Sequence, residues 1–159
     1  MIDKLITDII EICSAKGLTI GLAESCTGGL ISEMITSISG SSKVFKGAII
    51  SYSNDIKESL LNVSKITLIV HGAVSKETAI EMVLGCKETI MADICLSVTG
   101  IAGPTGGTSE KPVGLVYIAI IVDNQKPLIN KYIFKGDRAE IRKQSADEAI
   151  KLIHEAINN

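Results

Sequence analysis

Apolar residues in this chain follow two rhythms that alternate from segment to segment. Residues 2–15 set Leu5, Ile6, Ile9, Ile10 and Cys13 at helical spacing, with Lys4, Asp8 and Glu11 on the opposite side. That spacing predicts an amphipathic helix with one buried face, and Gly17 ends it. Leu18 to Leu22 is a short apolar run entering a turn, after which Leu30, Ile31, Met34, Ile35 and Ile38 repeat at intervals of 3, 4 and 7. Strand, turn and helix are expected in that order.

Gly40-Ser41-Ser42 interrupts the pattern, and Gly47 to Ser51 then reads as a second apolar strand. Asn54 suits the N-cap of a helix through Leu61, which puts Lys57 on its first turn. Ser64 to Val70 is two-valued: Ile66, Leu68, Ile69 and Val70 suit a strand, while the flanking caps suit a short helix, the reading we prefer. Ser75 caps a longer helix carrying Ile80, Met82, Val83, Leu84 and Ile90, and Asp93 to Val98 follows as a fully buried strand. After a glycine-rich loop at 100–107, Val113–Val122 and Leu128–Phe134 flank the polar connection Asp123-Asn124-Gln125-Lys126, as in an antiparallel hairpin. A last helix runs from about Asp137, its cap, to Ile157.

Helices alternating with buried strands and closing on a hairpin predict an α/β fold: a three-layer α/β/α sandwich around a mixed, roughly five-stranded sheet. With 159 residues and 46% hydrophobic content, the chain has material for one sizeable core, so a single domain over 1–159 is expected. Neither internal repeats nor low-complexity linkers divide it. Exposed β-branched edges in the last hairpin point to self-association, with a homodimer as the first expectation.

Charge narrows the function classes. The 16 basic and 18 acidic residues are scattered and nearly cancel, to −2, leaving no stripe that would release counterions along a nucleic-acid backbone. Aromatics make up 3% with no Trp, so platforms for stacking bases are also missing. Cys13, Cys26, Cys86 and Cys95 show no C-x-x-C spacing and read as reduced thiols of a cytoplasmic protein. The opening Met1-Ile2-Asp3-Lys4-Leu5-Ile6-Thr7-Asp8 mixes both charges into the apolar pattern, unlike a signal or transit peptide. Val113 to Val122 is about half the roughly 20 residues that cross a bilayer, so no membrane association is expected.

Candidate chemistry centres on Ala23-Glu24-Ser25-Cys26-Thr27-Gly28-Gly29. Ser25 falls just past the first strand, where open α/β sheets place their ligand crevice. Backbone N–H groups near Thr27, Gly28 and Gly29 would favour a developing oxyanion without a metal, and the glycines would let a substrate approach. An equally ordinary reading makes Ser25 or Thr27 a simple helix cap. Only His71 and His154 offer an imidazole base, and His154 sits in the last helix with a surface-like setting. A buried, neutral lysine can replace histidine. Lys57, one turn into the helix that begins at the end of the second strand, is the best-placed one, although a lysine on a short helix usually faces solvent. Tyr52 beside it and Cys26 beside Ser25 read either as packing or as chemistry. Loop glycines 100, 103, 106 and 107 could line a phosphate or a planar ring, or simply build a long turn. Arg138 and Arg142, at i and i+4, could both reach one anion or both face water.

Six segments in order carry a resemblance: the Ser25 turn; Tyr52-Ser53-Asn54 with Lys57; His71-Gly72-Ala73-Val74-Ser75; Gly100-Ile101-Ala102-Gly103-Pro104; Lys111-Pro112-Val113-Gly114; and Gly136-Asp137-Arg138. Over roughly residues 5–150 the chain resembles the C-terminal domain of the CinA, or competence-damage-inducible, family, also called nicotinamide-nucleotide amidohydrolases. The resemblance implies deamidation of nicotinamide mononucleotide to nicotinate mononucleotide and ammonia, without a metal or cofactor. It makes Ser25 the nucleophile, Lys57 the base and Tyr52 a helper. Thr27, Gly28 and Gly29 would serve the oxyanion. Glu24, Gly100, Ala102, Gly103, Gly106, Gly107, Arg138 and Arg142 would bind substrate, the loop or the arginines meeting its phosphate. Many such relatives carry a further N-terminal domain resembling molybdopterin-binding proteins and associated with ADP-ribose pyrophosphatase activity; that domain and that activity are not expected here. A rival of another class is a non-catalytic nucleotide-binding or regulatory protein linked to competence or DNA repair.

Overall fold

The computed structural model describes residues 1–159. Its elements run α1 (Ile2–Lys16), β1 (Ile20–Glu24), α2 (Leu30–Thr36), a 3₁₀ turn (Ser41–Lys43), β2 (Phe45–Ile50), α3 (Asn54–Leu61), α4 (Lys65–His71), α5 (Lys76–Ile90), β3 (Ile94–Gly100), β4 (Leu115–Val122), β5 (Leu128–Ile133) and α6 (Arg138–Asn158). The five strands form one sheet in the order β2-β1-β3-β4-β5. β1 pairs in parallel with β2 and β3, whereas β4 runs antiparallel to β3 and β5. A mixed, five-stranded α/β/α sandwich is therefore the architecture, as the pattern of buried runs predicts.

Each face of the sheet builds its own core. On one side Ile6, Ile9 and Cys13 of α1, Ile31 and Ile35 of α2, and Ile141, Ile150 and Ile153 of α6 pack on Ile20, Leu22, Leu96 and Ile118. Across the sheet, Leu61 of α3, Leu68 of α4 and Met82, Val83 and Cys86 of α5 cover Ala23, Cys95, Ala119 and Ile121. Burial of an aliphatic side chain contributes about 1.5–3 kcal/mol, so two such layers on near-continuous apolar strands lock the sheet's register.

One helix contact sets the later geometry. A Cβ built on Gly85 of α5 would lie 1.8 Å from the carbonyl oxygen of Leu61, so α3 can rest on α5 only where a side chain is missing. Glycine in mid-helix costs about 0.5–1 kcal/mol relative to alanine; here the close approach requires it.

Boundaries differ from the sequence reading for local reasons. The first strand begins at Ile20 instead of Leu18, because the N–H groups of Gly17 and Leu18 turn back onto Ser14 and Cys13 to close α1, with Gly17 at φ 68°. It also extends to Glu24, a charged residue that the apolar pattern left outside. Ser53, not Asn54, caps α3: its hydroxyl accepts from the Ile56 N–H at 3.3 Å. The two-valued segment is a helix, α4, capped by Ser64. No helix is long and apolar enough to cross a membrane.

Candidate active site

β1 is the strand at which the chain reverses direction across the sheet, with β2 on one side and β3 on the other. Crevices open at the carboxyl ends of such strands. Two backbone bonds pin this one: Ser25 N–H donates to the Val98 carbonyl at 3.0 Å, and Ser51 N–H donates to the Glu24 carbonyl at 2.8 Å. Ser25 thus leaves the sheet at a defined point, and the chain just beyond β2 is held beside it.

α3 brings Lys57 to the same place. Its ammonium nitrogen lies 2.9 Å from Ser25 Oγ, 2.6 Å from the Ser51 carbonyl and 3.3 Å from the Tyr52 carbonyl. Lys57 is 1% exposed and Ser25 7%. Burial drives the Lys57 pKa down from 10.5 to about 8, because a desolvated ammonium is disfavoured. A neutral lysine has two N–H donors and one lone pair. As an ammonium Lys57 donates to all three oxygens; once neutral, its two N–H groups serve the two carbonyls and its lone pair is left to accept the Ser25 proton. The solvated-lysine reading fails at this position.

The turn itself is held from within. Glu24, fully buried, accepts from Thr27 Oγ1 at 2.6 Å, Gly29 N–H at 3.0 Å, Ile31 N–H at 3.2 Å, and Ser32 N–H and Oγ at 2.9 and 2.6 Å. The start of α2 is therefore already satisfied by the chain's own carboxylate. Two expectations change. Glu24 does not contact the cavity and is a turn anchor, not a substrate ligand. Gly28 and Gly29 do not offer free amides: Gly28 N–H donates to the Ser25 carbonyl at 3.0 Å and Gly29 N–H to Glu24. The amides of the turn without an acceptor in the chain are those of Cys26 and Thr27, one and two residues past Ser25. Cys26 is 6% exposed, and burial pushes its thiol up to about 12, which leaves it protonated and unreactive.

Ser25 and Lys57 open into a cavity of about 250 Å³, lined also by Tyr52, Gly100, Ala102, Gly103, Gly106 and Arg138. Gly107 lies outside it; its absent side chain makes room for Val113, whose backbone nitrogen would stand 2.8 Å from a Cβ there. Arg138 points in, with Nη1 donating to the Gly103 carbonyl at 2.9 Å and Nη2 to the Tyr52 hydroxyl at 3.0 Å. Tyr52 is 60% exposed and braces Arg138 by its phenolic oxygen while its carbonyl accepts from Lys57. Arg142, expected to share an anion with Arg138, instead donates to the carbonyls of Cys26 and Thr27. One turn of helix separates their roles. Ala73, Val74, Thr99, Ile101 and Thr105 also line the cavity; apolar or weakly polar loop residues carry no chemical signal that would mark them in the sequence. His71 is absent from the lining and lies 3.6 Å from Glu77.

Residues 2–157, nearly the whole chain, match the CinA C-terminal domain. The chain belongs to the CinA C-terminal domain family. A CinA-like protein of Kosmotoga olearia is 50% identical over 149 residues, covering 94% of this chain and 36% of that protein. A competence/damage inducible protein of Agrobacterium tumefaciens has a similar structure, at TM-score 0.96 and 40% identity, covering 99% of this chain and 96% of that one. A CinA superfamily protein of Klebsiella pneumoniae gives 0.94 at 28% identity, with 99% and 98% covered. The CinA domain described here spans about a third of the length of the curated relatives it matches.

Proposed function

We propose that this CinA domain is an amidohydrolase that converts nicotinamide mononucleotide to nicotinate mononucleotide and ammonia by Ser-Lys catalysis. The observation that carries the reading is the buried Lys57 nitrogen 2.9 Å from Ser25 Oγ, with its pKa lowered to about 8. Such a group is poised to take a proton near neutral pH.

Neutral Lys57 takes the Ser25 proton as Oγ bonds to the carboxamide carbon. The carbonyl oxygen of the tetrahedral adduct draws hydrogen bonds from the Cys26 and Thr27 amides, one such donor being worth roughly 10²–10³ in rate. Lys57 returns its proton to the departing nitrogen, the C–N bond breaks, and ammonia leaves. Water then adds to the acyl ester, giving a proton to Lys57 that passes back to Ser25 as the acid departs. Arg138, the guanidinium that lines the cavity, pairs with the phosphate.

Ammonia release from nicotinamide mononucleotide tests this reading. Ser25→Ala and Lys57→Ala should each lose activity by about 10³-fold or more, and kcat/KM of the parent should rise with pH to a plateau, with an inflection near 8. Full activity in Ser25→Ala would remove the nucleophile assignment. A parent without turnover that still binds the nucleotide would support the non-catalytic alternative.

A further inference from the structure

Arg142 does not line the Ser25 cavity, yet its guanidinium is committed to the turn that carries the proposed nucleophile. Nε donates to the Cys26 carbonyl at 3.1 Å and Nη2 to the Thr27 carbonyl at 2.8 Å. Gly28, at φ +59°, takes the left-handed backbone that favours glycine and turns the chain past the guanidinium. The two contacts differ in what they do.

In a trans peptide the C=O and N–H of one unit point in opposite directions. The Cys26 carbonyl shares its unit with the Thr27 N–H, which has no acceptor in the chain. A guanidinium gripping that carbonyl therefore turns the Thr27 N–H away from α6. It also withdraws electron density through the amide, which makes the N–H a stronger donor. The Thr27 carbonyl shares its unit with the Gly28 N–H, already taken by the Ser25 carbonyl, so this second contact fixes the turn and arms nothing. From the other side, Glu24 holds Thr27 Oγ1 and the Gly29 amide. The Cys26–Thr27 peptide is thus clamped between a buried carboxylate's anchors and an arginine, with a single N–H left over.

We propose that Arg142 is a positioning residue for acyl transfer, aiming and polarising the Thr27 amide as an oxyanion donor. The proposal rests on the Ser25–Lys57 reading above, and one experiment separates the two. A fluorophosphonate probe bonds its phosphorus to Ser25 Oγ, expels fluoride as the proton passes to Lys57, and places its phosphoryl oxygen where the oxyanion would sit. Its labelling rate is measured between about pH 6 and 10 in the full chain, in Arg142→Met, in Arg142→Lys and in Lys143→Met, with the labelled residue found by mass spectrometry. Lys143 pairs only with Asp147 on the exposed side of α6.

Arg142→Met should label about 10- to 100-fold more slowly, less than or comparable to loss of a whole oxyanion donor. Arg142→Lys, with one cation and no fork, should fall between. In both, the rate inflection should remain near pH 8, and Lys143→Met should match the parent. Labelling of Arg142→Met at the parental rate overturns the proposal. A slower rate with a displaced inflection also overturns it, since Arg142 would then be holding the Ser25–Lys57 pair. Should Arg142→Met fail to fold, Arg142→Lys decides by the same two criteria. A folded parent that leaves Ser25 unlabelled instead overturns the Ser-Lys reading itself.

Discussion

A single residue decides how the Ser25 turn is built. Glu24 ends a strand of apolar residues, and its carboxylate gathers five N–H and O–H donors from the eight residues that follow. Replacing it by Gln puts an amide N–H where only acceptors are wanted, and replacing it by Ala strands every donor. Leaving a buried partner unpaired costs about 1–3 kcal/mol each, more when the group lost was charged. Glu24→Ala is therefore expected to lower stability by about 3 kcal/mol or more, read as a drop in the denaturation midpoint, and to abolish activity with it. Glu24→Gln should be destabilised less but should still disturb Ser25. An unchanged midpoint in Glu24→Ala would show that the turn holds its shape without the anchor. Sequence marks Glu24 only as a charge beside a serine; whether it faces substrate or its own backbone depends on where the side chain can find donors.

Among elements, the contact between α3 and α5 matters most for the site, because α3 carries Lys57. Gly85 permits that contact at 1.8 Å from the Leu61 carbonyl for any Cβ. Gly85→Ala should force α3 outward and draw Lys57 away from Ser25. On helix propensity alone the substitution would stabilise α5. The expectation is the reverse: a loss of about 1–3 kcal/mol from overpacking and a fall in kcat with the Lys57 inflection moved upward as the amine gains solvent. A variant more stable than the parent, with full activity, would refute the packing argument. Helical periodicity placed α3 and α5 correctly along the chain, and yet a glycine in mid-helix reads in sequence as mere weakness, since its neighbour comes from 24 residues earlier.

At the scale of the whole molecule, the buried lysine leaves a mark on stability. Lys57 has a folded pKa of about 8 against 10.5 for the ordinary side chain. Below pH 8 both states carry the proton and the folded state bears the full cost of a buried charge. Between pH 8 and 10.5 the unfolded chain binds more protons, so folding is favoured increasingly as pH rises. The gap corresponds to about 3 kcal/mol. Relative to Lys57→Met, which does not titrate, the parent should therefore gain up to about that much stability between pH 8 and 10.5, in chemical denaturation at each pH. A constant difference across the range would mean that Lys57 titrates normally.

By itself the sequence determined the alternation of helices and strands, the mixed sandwich and the location of a candidate serine after the first strand, because periodicity and end signals are local properties of neighbouring residues. Ordered segments spread over the chain also carried the family. Tertiary structure alone decided what each charged side chain does. It brought Lys57 across 32 residues to Ser25. Glu24 it turned into the anchor of α2, and the Arg138–Arg142 pair it divided between cavity and turn. These outcomes depend on which donors and acceptors lie within about 3 Å once the sheet is closed, and on burial that shifts a lysine by its surroundings. Neither quantity is a property of any segment taken alone. Ser25 becomes chemically distinct from an ordinary helix-entry serine only when folding removes water from the amine beside it.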